Sequence, residues 1–167
     1  MTNCYGEIVL SKKLWIRYSI FGLITALLTV LDQWSKIVVE NIANGQEGGG
    51  LEVIKGVLNF TYVKNTGASM GILKDQRVLL IAITFVILAV GAWYFKKHRP
   101  ESVLLLTSCS LILSGAIGNL IDRVQFGYVR DFIDVQFIDF YTFNVADCGI
   151  VIGAALLIIY AFFNIED

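Results

Sequence analysis

Four long apolar stretches constrain this chain of 167 residues more than any other feature of its sequence. Each approaches the roughly 20 residues that an α-helix needs to cross a hydrocarbon core of about 30 Å. The stretches cover residues 14–31, 78–95, 103–121 and 145–163. Hydrophobic residues make up 56% of the chain and charged residues 16%, which is unlike a soluble domain. The sequence therefore predicts one integral membrane domain of all-α class over residues 1–167, with four transmembrane helices.

Basic residues beside these stretches predict how the helices are oriented. They are Lys12, Lys13 and Arg17 around the start of the first stretch, and Lys96, Lys97, His98 and Arg99 between the second and third. Because positive charges favour the cytoplasmic side, both groups are expected in the cytoplasm. Both termini are then cytoplasmic, and residues 32–77 and 122–144 form extracytoplasmic loops. A basic start also suggests a secretory signal, but no small-residue cleavage site follows, so we expect a retained helix.

The two extracytoplasmic loops differ in pattern. The first contains LEVIKGVLNFTYVKNTGAS, which is rich in β-branched and aromatic residues and follows the breaker NGQEGGG. It predicts a small β element at the membrane surface, because lipid does not tolerate open sheet edges at depth. The second loop contains DFIDVQFIDF, in which apolar and acidic residues alternate. We expect an interfacial segment with one wet face there.

Polar residues recur at the outer ends of three of the predicted helices. Their spacings of three or four place each group on one helix face; the groups are Asp32 with Lys36, Asn119 with Asp122 and Arg123, and Asn144 with Asp147. With Asn65 of the first loop, these groups can converge on one site. An ionisable residue within a span is a candidate functional residue. For any single one of them, helix capping with snorkelling to the interface is an equally good interpretation.

Elimination narrows the chemistry that such a site can perform. The single histidine, His98, lies in a predicted cytoplasmic loop, so it cannot form a Ser-His or Cys-His pair on the outer side. The three cysteines are odd in number and unpatterned, and no zinc motif is present. A net charge of −1 and the lack of a binding motif argue against nucleic acid as a partner. No metal or other cofactor is expected, and carboxylates remain as the reactive groups.

Two carboxylates that share one proton can activate a water molecule and protonate a leaving amine. Asp147 is the strongest candidate, because it lies in the first turn of the last apolar stretch. A carboxyl group at that position must be covered by protein or be protonated. Asp131 is the best partner by position, although physical reasoning from the sequence does not separate it cleanly from Asp134. Asp122 is expected to be kept ionised by a neighbouring cation in a structural role. Asp139, like Asp134, fits the wet face of the interfacial segment.

Five short motifs identify a resemblance that covers most of the chain. In order they are DQWSK, VKNTGAS, GNLIDRV, VRDFID and FNVADC. This series resembles lipoprotein signal peptidase, also called signal peptidase II, a family of aspartyl peptidases of the bacterial inner membrane. Each motif alone is weak, but five in the family's order on an independently predicted four-span topology are specific.

The resemblance implies a function and a site. Asp131 and Asp147 would be the catalytic dyad, and the positions that support the dyad or hold substrate would be Asp32, Lys36, Asn65, Gly67, Asn119, Arg123 and Asn144. The implied substrate is a prolipoprotein whose cysteine carries diacylglycerol and which is cut on the N-terminal side of that cysteine. The enzyme would act near the outer leaflet of the inner membrane, with membrane lipids around it, and we expect a monomer.

The chain departs from the family pattern at four positions. Ser69 and Met70 replace a small residue followed by an aromatic one, Arg130 replaces an apolar residue before the first catalytic aspartate, and Cys148 replaces a hydroxyl residue. We expect these changes to affect the substrate groove and the electrostatics around Asp131. A small transporter or channel that uses the buried carboxylates is the alternative function. It usually shows repeats or broken helices, which are not visible here. Without the motifs, a transporter and an unspecified membrane enzyme would be supported nearly equally.

Overall fold

A computed structural model describes residues 4–68 and 72–164, with side chains over 12–68 and 72–163. Ser69 and Met70, two of the departures noted above, lie outside the described residues. The elements in order are α1 (Cys4–Ile42), β1 (Gly50–Ile54), β2 (Leu58–Asn65), α2 (Arg77–His98), α3 (Val103–Gln125), β3 (Val129–Val135) and α4 (Val145–Asn164). Within the described residues, four helices are long and apolar enough to cross a membrane, which confirms the predicted fold class.

The first helix is longer than predicted. It has 39 residues, about 58 Å at 1.5 Å per residue, and it includes the DQWSK motif that we placed in the loop after it. The predicted end at residue 31 was wrong because the polar residues that follow face protein partners instead of solvent. The chain leaves the helix near Asn44 and Gly45, which both have positive φ. Likewise, α3 continues beyond residue 121 to Gln125, so the connections after α1 and α3 are both shorter than predicted.

The β element is also larger than predicted. Its three strands lie in the order β1-β2-β3, and both neighbouring pairs are antiparallel. The third strand comes from residues 122–144, and it includes the first half of the expected interfacial segment, DFIDVQFIDF. The β-branched and aromatic residues Val129, Phe132, Ile133 and Val135 are typical of a strand. Residues 136–143 lie outside the named strands and carry exposed apolar side chains, including Phe137 and Tyr141.

A small apolar core attaches the sheet to the end of α1. Val39 of α1 and Ala43, the residue after α1, are buried against Tyr62 of β2 and Phe132 of β3. The ring of Phe132 also meets Phe60 edge to face, with centroids 5.5 Å apart. Because Phe132 follows Asp131 directly, this core fixes β3 at the point where the candidate catalytic strand meets the helices.

Helix α3 is central to the helical part, because it packs against each of the other three helices. Small residues allow α3 and α4 to approach closely. A Cβ added at Gly153 would lie 2.8 Å from the Ser108 carbonyl oxygen, and one added at Gly149 would lie 3.1 Å from the Leu111 carbonyl oxygen. This close packing brings the C-terminal part of α3 beside the first turn of α4.

The basic residues and the sheet lie at opposite ends of the molecule. Arg17 Nη1 donates to the Glu101 carbonyl oxygen at 2.9 Å, and the Tyr18 hydroxyl donates to the Pro100 carbonyl oxygen at 3.1 Å. The start of α1 and the connection between α2 and α3 therefore share one end. The sheet, by contrast, packs on the far end of α1.

Candidate active site

Asp131 is held by amide donors from two different elements. It lies in β3 with 2% of its surface exposed. Its Oδ1 accepts a hydrogen bond from Asn144 Nδ2 at 2.6 Å, and its Oδ2 accepts one from Asn65 Nδ2 at 2.9 Å. Asn65 ends β2 and is paired with Val129 across the ladder, whereas Asn144 immediately precedes α4. Both oxygens of the carboxylate therefore have a fixed direction.

Asp147 is fixed by a reciprocal cap at the start of α4. The Asn144 side-chain oxygen accepts from the Asp147 backbone N–H at 2.9 Å, and Asp147 Oδ2 accepts from the Asn144 backbone N–H at 3.2 Å. This is the arrangement of a capping box, with asparagine and aspartate in the two roles. The other oxygen, Oδ1, accepts from Asn119 Nδ2 at 2.8 Å. Asn144 thus contacts both aspartates directly.

The two aspartates line one cavity. Its other walls come from β2, α3 and the segment before α4, and its lining residues are Asn65, Ala68, Asn119, Arg123, Val129, Phe140, Tyr141, Thr142 and Phe143. The cavity combines a small number of convergent polar groups with aromatic walls. Such a composition is typical of a site that orients a substrate.

A buried lysine lies behind Asn119. Lys36 Nζ donates to Asn119 Oδ1 at 3.0 Å and pairs with Asp32 at 2.9 Å and with Asp122 at 3.2 Å. Because the asparagine oxygen faces Lys36, its NH₂ group must face Asp147. The second oxygen of Asp32 accepts from the Ala146 backbone N–H at 2.9 Å. Asp32 and Lys36 therefore orient groups that touch the dyad candidates and do not enter the cavity lining themselves.

Arg123 and Gly67 form a separate link at the cavity edge. Arg123 Nη2 donates to the Gly67 carbonyl oxygen at 2.9 Å, and the Gly67 N–H donates to Asn65 Oδ1 at 2.9 Å. Arg123 thus holds the turn after β2. The turn orients the side-chain amide of Asn65, which donates to Asp131. All nine residues proposed from the sequence are brought together. Five of them line the cavity, Asn144 and Gly67 hydrogen-bond to residues of that lining, and Asp32 and Lys36 lie directly behind it.

Burial controls the ionisation of Asp131. Loss of solvent, and after it the negative charge of Asp147, raise the pKa of its carboxyl to about 7. Hydrogen bonds from Asn65 and Asn144 and the charge of Lys36 oppose part of this increase. At neutral pH a protonated Asp131 is therefore accessible, so the two carboxylates that line this cavity are suited to share a single proton.

The remaining aspartates have other partners. Asp122 is fully buried and is paired with Arg130 at 2.8 Å and with Lys36, in agreement with the expected structural role beside a cation. Asp134 accepts from the Thr61 hydroxyl at 2.9 Å on the neighbouring strand, and Asp139 is exposed. Among the described residues that line the cavity, neither Asp134 nor Asp139 appears.

Comparison with known proteins identifies the family. A sequence profile described as signal peptidase (SPase) II matches residues 24–163 of the chain. The chain belongs to the signal peptidase II family. The lipoprotein signal peptidase of Enterococcus faecalis is 39% identical over 142 residues, covering 84% of this chain and 86% of the relative. That of Halothermothrix orenii is 42% identical over 138 residues, covering 83% and 92%.

Solved structures agree with this assignment. A bacterial membrane enzyme determined by the in meso method at 2.3 Å superimposes with a TM-score of 0.81 and 34% identity, covering 87% of this chain and 89% of the other. A second such structure at 1.9 Å gives a TM-score of 0.78. These findings confirm the predicted family, its peptidase activity and the helical membrane fold. The transporter or channel alternative is not supported.

Two polar residues that lie beside the site in this signal peptidase II were not predicted from the sequence. Gln33 Nε2 donates to the Gly118 carbonyl oxygen at 3.0 Å and to Asp122 Oδ1 at 3.2 Å, and Glu40 pairs with Arg130 at 3.1 Å. Both lie on α1 beyond its predicted end. Residues 33, 36 and 40 recur at spacings of three and four, which would have revealed one continuous polar helix face.

Proposed function

We propose that this chain removes the signal peptide from diacylglyceryl-modified prolipoproteins by cutting on the N-terminal side of the lipidated cysteine, with Asp131 and Asp147 as its catalytic dyad. The observation that carries the proposal is the position of Asn144, which hydrogen-bonds both aspartates beside one cavity. The relatives described above are lipoprotein signal peptidases, which supports this class of substrate.

The proposed mechanism uses one proton shared by two carboxylates. The ionised carboxylate acts as a general base and takes a proton from the attacking water. The protonated carboxyl acts as a general acid, first towards the carbonyl oxygen of the scissile bond and then towards the leaving amine. The pKa of Asp131, raised to about 7, supports such a division of roles at neutral pH.

The surrounding amides are assigned to the orientation of the dyad. Asn65 and Asn144 donate to Asp131, and Asn119 donates to Asp147. Because each amide has its own oxygen engaged by a lysine or a backbone N–H, none can rotate freely. Fixed donors of this kind keep catalytic groups in reactive geometry, where small displacements are costly.

The site is proposed to face the outer leaflet of the bacterial inner membrane, with both termini in the cytoplasm and the enzyme acting as a monomer. The basic end of the molecule, opposite the sheet, supports this orientation. Exposed aromatic residues that line the cavity, Phe140 and Tyr141, fit the interfacial depth at which a membrane-anchored cysteine would lie.

The direct test of function is cleavage of a lipidated precursor by the purified enzyme in lipid vesicles. We expect a product that begins with the diacylglyceryl cysteine, identified by mass spectrometry, and no cleavage of the same precursor with its cysteine replaced by serine. Metal chelators should leave the rate unchanged. Equal cleavage of both precursors, or loss of activity with chelator alone, would overturn the proposal.

Orientation can be tested separately by cysteine labelling in a background that lacks Cys4, Cys109 and Cys148. Cysteines placed at the exposed positions Glu52 and Asp139 are expected to react with a membrane-impermeant reagent from outside intact spheroplasts. A cysteine at the exposed His98, which leaves the formal charge unchanged, should react only after lysis. The reverse pattern of labelling would place the dyad on the cytoplasmic side.

A further inference from the structure

A second buried polar cluster lies across β3 from the candidate dyad. Its centre is Arg130, which is 3% exposed and immediately precedes Asp131 in the strand. Consecutive residues of a strand point to opposite faces. The guanidinium of Arg130 and the carboxylate of Asp131 therefore belong to two different layers of the site, joined by a single peptide bond.

The Arg130 side chain connects three elements of the fold. Its Nη2 donates to Asp122 Oδ1 of α3 at 2.8 Å and to Gln33 Oε1 of α1 at 2.9 Å, and its Nη1 donates to Glu40 of α1 at 3.1 Å. The guanidinium also lies over the ring of Phe126, 4.6 Å from its centroid. Only a planar, forked donor group can meet all of these partners at once.

The backbone at this point is attached to the same carboxylate. The Arg130 N–H donates to Asp122 Oδ2 at 3.0 Å, and the side chain Nε approaches the same oxygen at 3.4 Å. Asp122 therefore holds both the main chain and the side chain of the residue before Asp131. Since Asp122 is itself fully buried and paired with Lys36, this anchor is fixed in the helical part of the molecule.

The ladder between β2 and β3 is interrupted next to this position. The pairing between β2 and β3 is regular from Leu58 to Phe60, then shifts before it resumes at Val63, the partner of Asp131. Such irregularities re-aim side chains and interrupt the ladder, and they often lie next to active sites. An additional tether on the opposite face of the strand would compensate for the interruption.

We propose that Arg130 is a positioning residue for Asp131, holding β3 against α1 and α3 from the face opposite the dyad. The inference rests on the function proposed above, because it assigns Arg130 to the same reaction. Arg130 does not touch the reacting atoms. It acts through the backbone that it shares with Asp131, so its loss should change the rate of the chemical step more than the binding of the precursor.

The test compares Arg130→Met, Arg130→Lys and the control Arg17→Met. Arg17 is a partly exposed arginine at the opposite end of the molecule, where it donates to the Glu101 carbonyl oxygen and lies 3.9 Å from the Glu101 carboxylate. Single-turnover cleavage of a lipidated precursor is measured with saturating enzyme, so that the rate constant does not depend on the folded fraction. Thermal melting in detergent and the KM for the precursor are measured in parallel.

We expect Arg130→Met to lower the single-turnover rate constant about tenfold or more, with KM within about twofold of the parent enzyme. Arg130→Lys keeps the charge without the fork, so it should recover part of this rate, and Arg17→Met should equal the parent. A parent-like rate constant in Arg130→Met, even with a lower melting temperature, would overturn the proposal. If Arg130→Met does not fold, the proposal is tested with Arg130→Lys. A parent-like rate constant in Arg130→Lys would then overturn the proposal. An inert parent enzyme would instead overturn the proposed function.

Discussion

Replacement of Asp131 or Asp147 by asparagine is expected to abolish cleavage of a lipidated precursor, while the precursor still binds. Asparagine keeps the shape of the side chain and part of its hydrogen bonding, but it cannot accept a proton and return it. Each variant therefore removes either the base or the acid from the pair. Cleavage should be measured by mass spectrometry of the released signal peptide, and binding by cross-linking of the precursor to the enzyme.

Asp134→Asn and Asp139→Asn are the matched controls for this result. Asp134 lies on the same strand, three residues from Asp131, but accepts a hydrogen bond from the Thr61 hydroxyl. Asp139 is exposed. Both variants should cleave at nearly the parent rate. A dyad variant that retained cleavage, or a control variant that lost it, would contradict the assignment of the two catalytic residues.

The dyad assignment also predicts how activity changes with pH. With the pKa of Asp131 raised to about 7 by burial and by Asp147, the pair is expected to retain one proton near neutral pH. As the pH rises well above 7 the shared proton is lost, and with it the general acid. As the pH falls far below 7 the second carboxylate is protonated, and the general base is lost. A bell-shaped pH profile of cleavage by the parent enzyme would agree with this, whereas a rate that stayed constant well above pH 7 would contradict it.

The lengths of the apolar stretches and the positions of the basic residues were sufficient to predict the four helices. They also predicted which connections lie at the same end of the molecule. They did not predict the end of α1, because polar residues such as Gln33 and Glu40 stop a hydropathy pattern without stopping a helix. Those side chains are covered by protein partners, Arg130 among them. Such tertiary pairing is not visible in a hydropathy pattern, although the spacing of the residues along one helix face indicates it.

The residues of the site were predicted more fully than their spatial arrangement. Physical reasoning from the sequence left Asp131 and Asp134 as alternatives, since both lie in one alternating stretch. The fold separates them, because Asn65 and Asn144 converge on Asp131 whereas Asp134 meets Thr61. Arg130 was expected to influence the electrostatics of Asp131, but its side-chain hydrogen bonds are made to groups on α1 and α3. Which face of β3 it occupies depends on strand pairing that was not predicted.

Asn144→Ala is expected to have the largest effect of any substitution that leaves both catalytic carboxylates intact. It removes the 2.6 Å hydrogen bond to Asp131 and the acceptor for the Asp147 backbone N–H in one step. A hydrogen bond to a charged group contributes about 1.5–3 kcal/mol, so we expect the turnover rate to fall by about 10- to 100-fold. The loss of a helix N-cap should also lower stability by about 1 kcal/mol.

The cap at the other end of the molecule separates these two effects. Ser102 is the N-cap of α3, where its hydroxyl oxygen accepts from the Leu105 backbone N–H at 3.4 Å, three residues along as in the Asn144 cap. Ser102→Ala should therefore lower the melting temperature by a similar or smaller amount and leave turnover unchanged, because α3 begins far from the dyad. If both variants lost activity in proportion to their loss of stability, Asn144 would be a helix cap alone. A selective loss of turnover in Asn144→Ala is the result that the two-carboxylate contact requires.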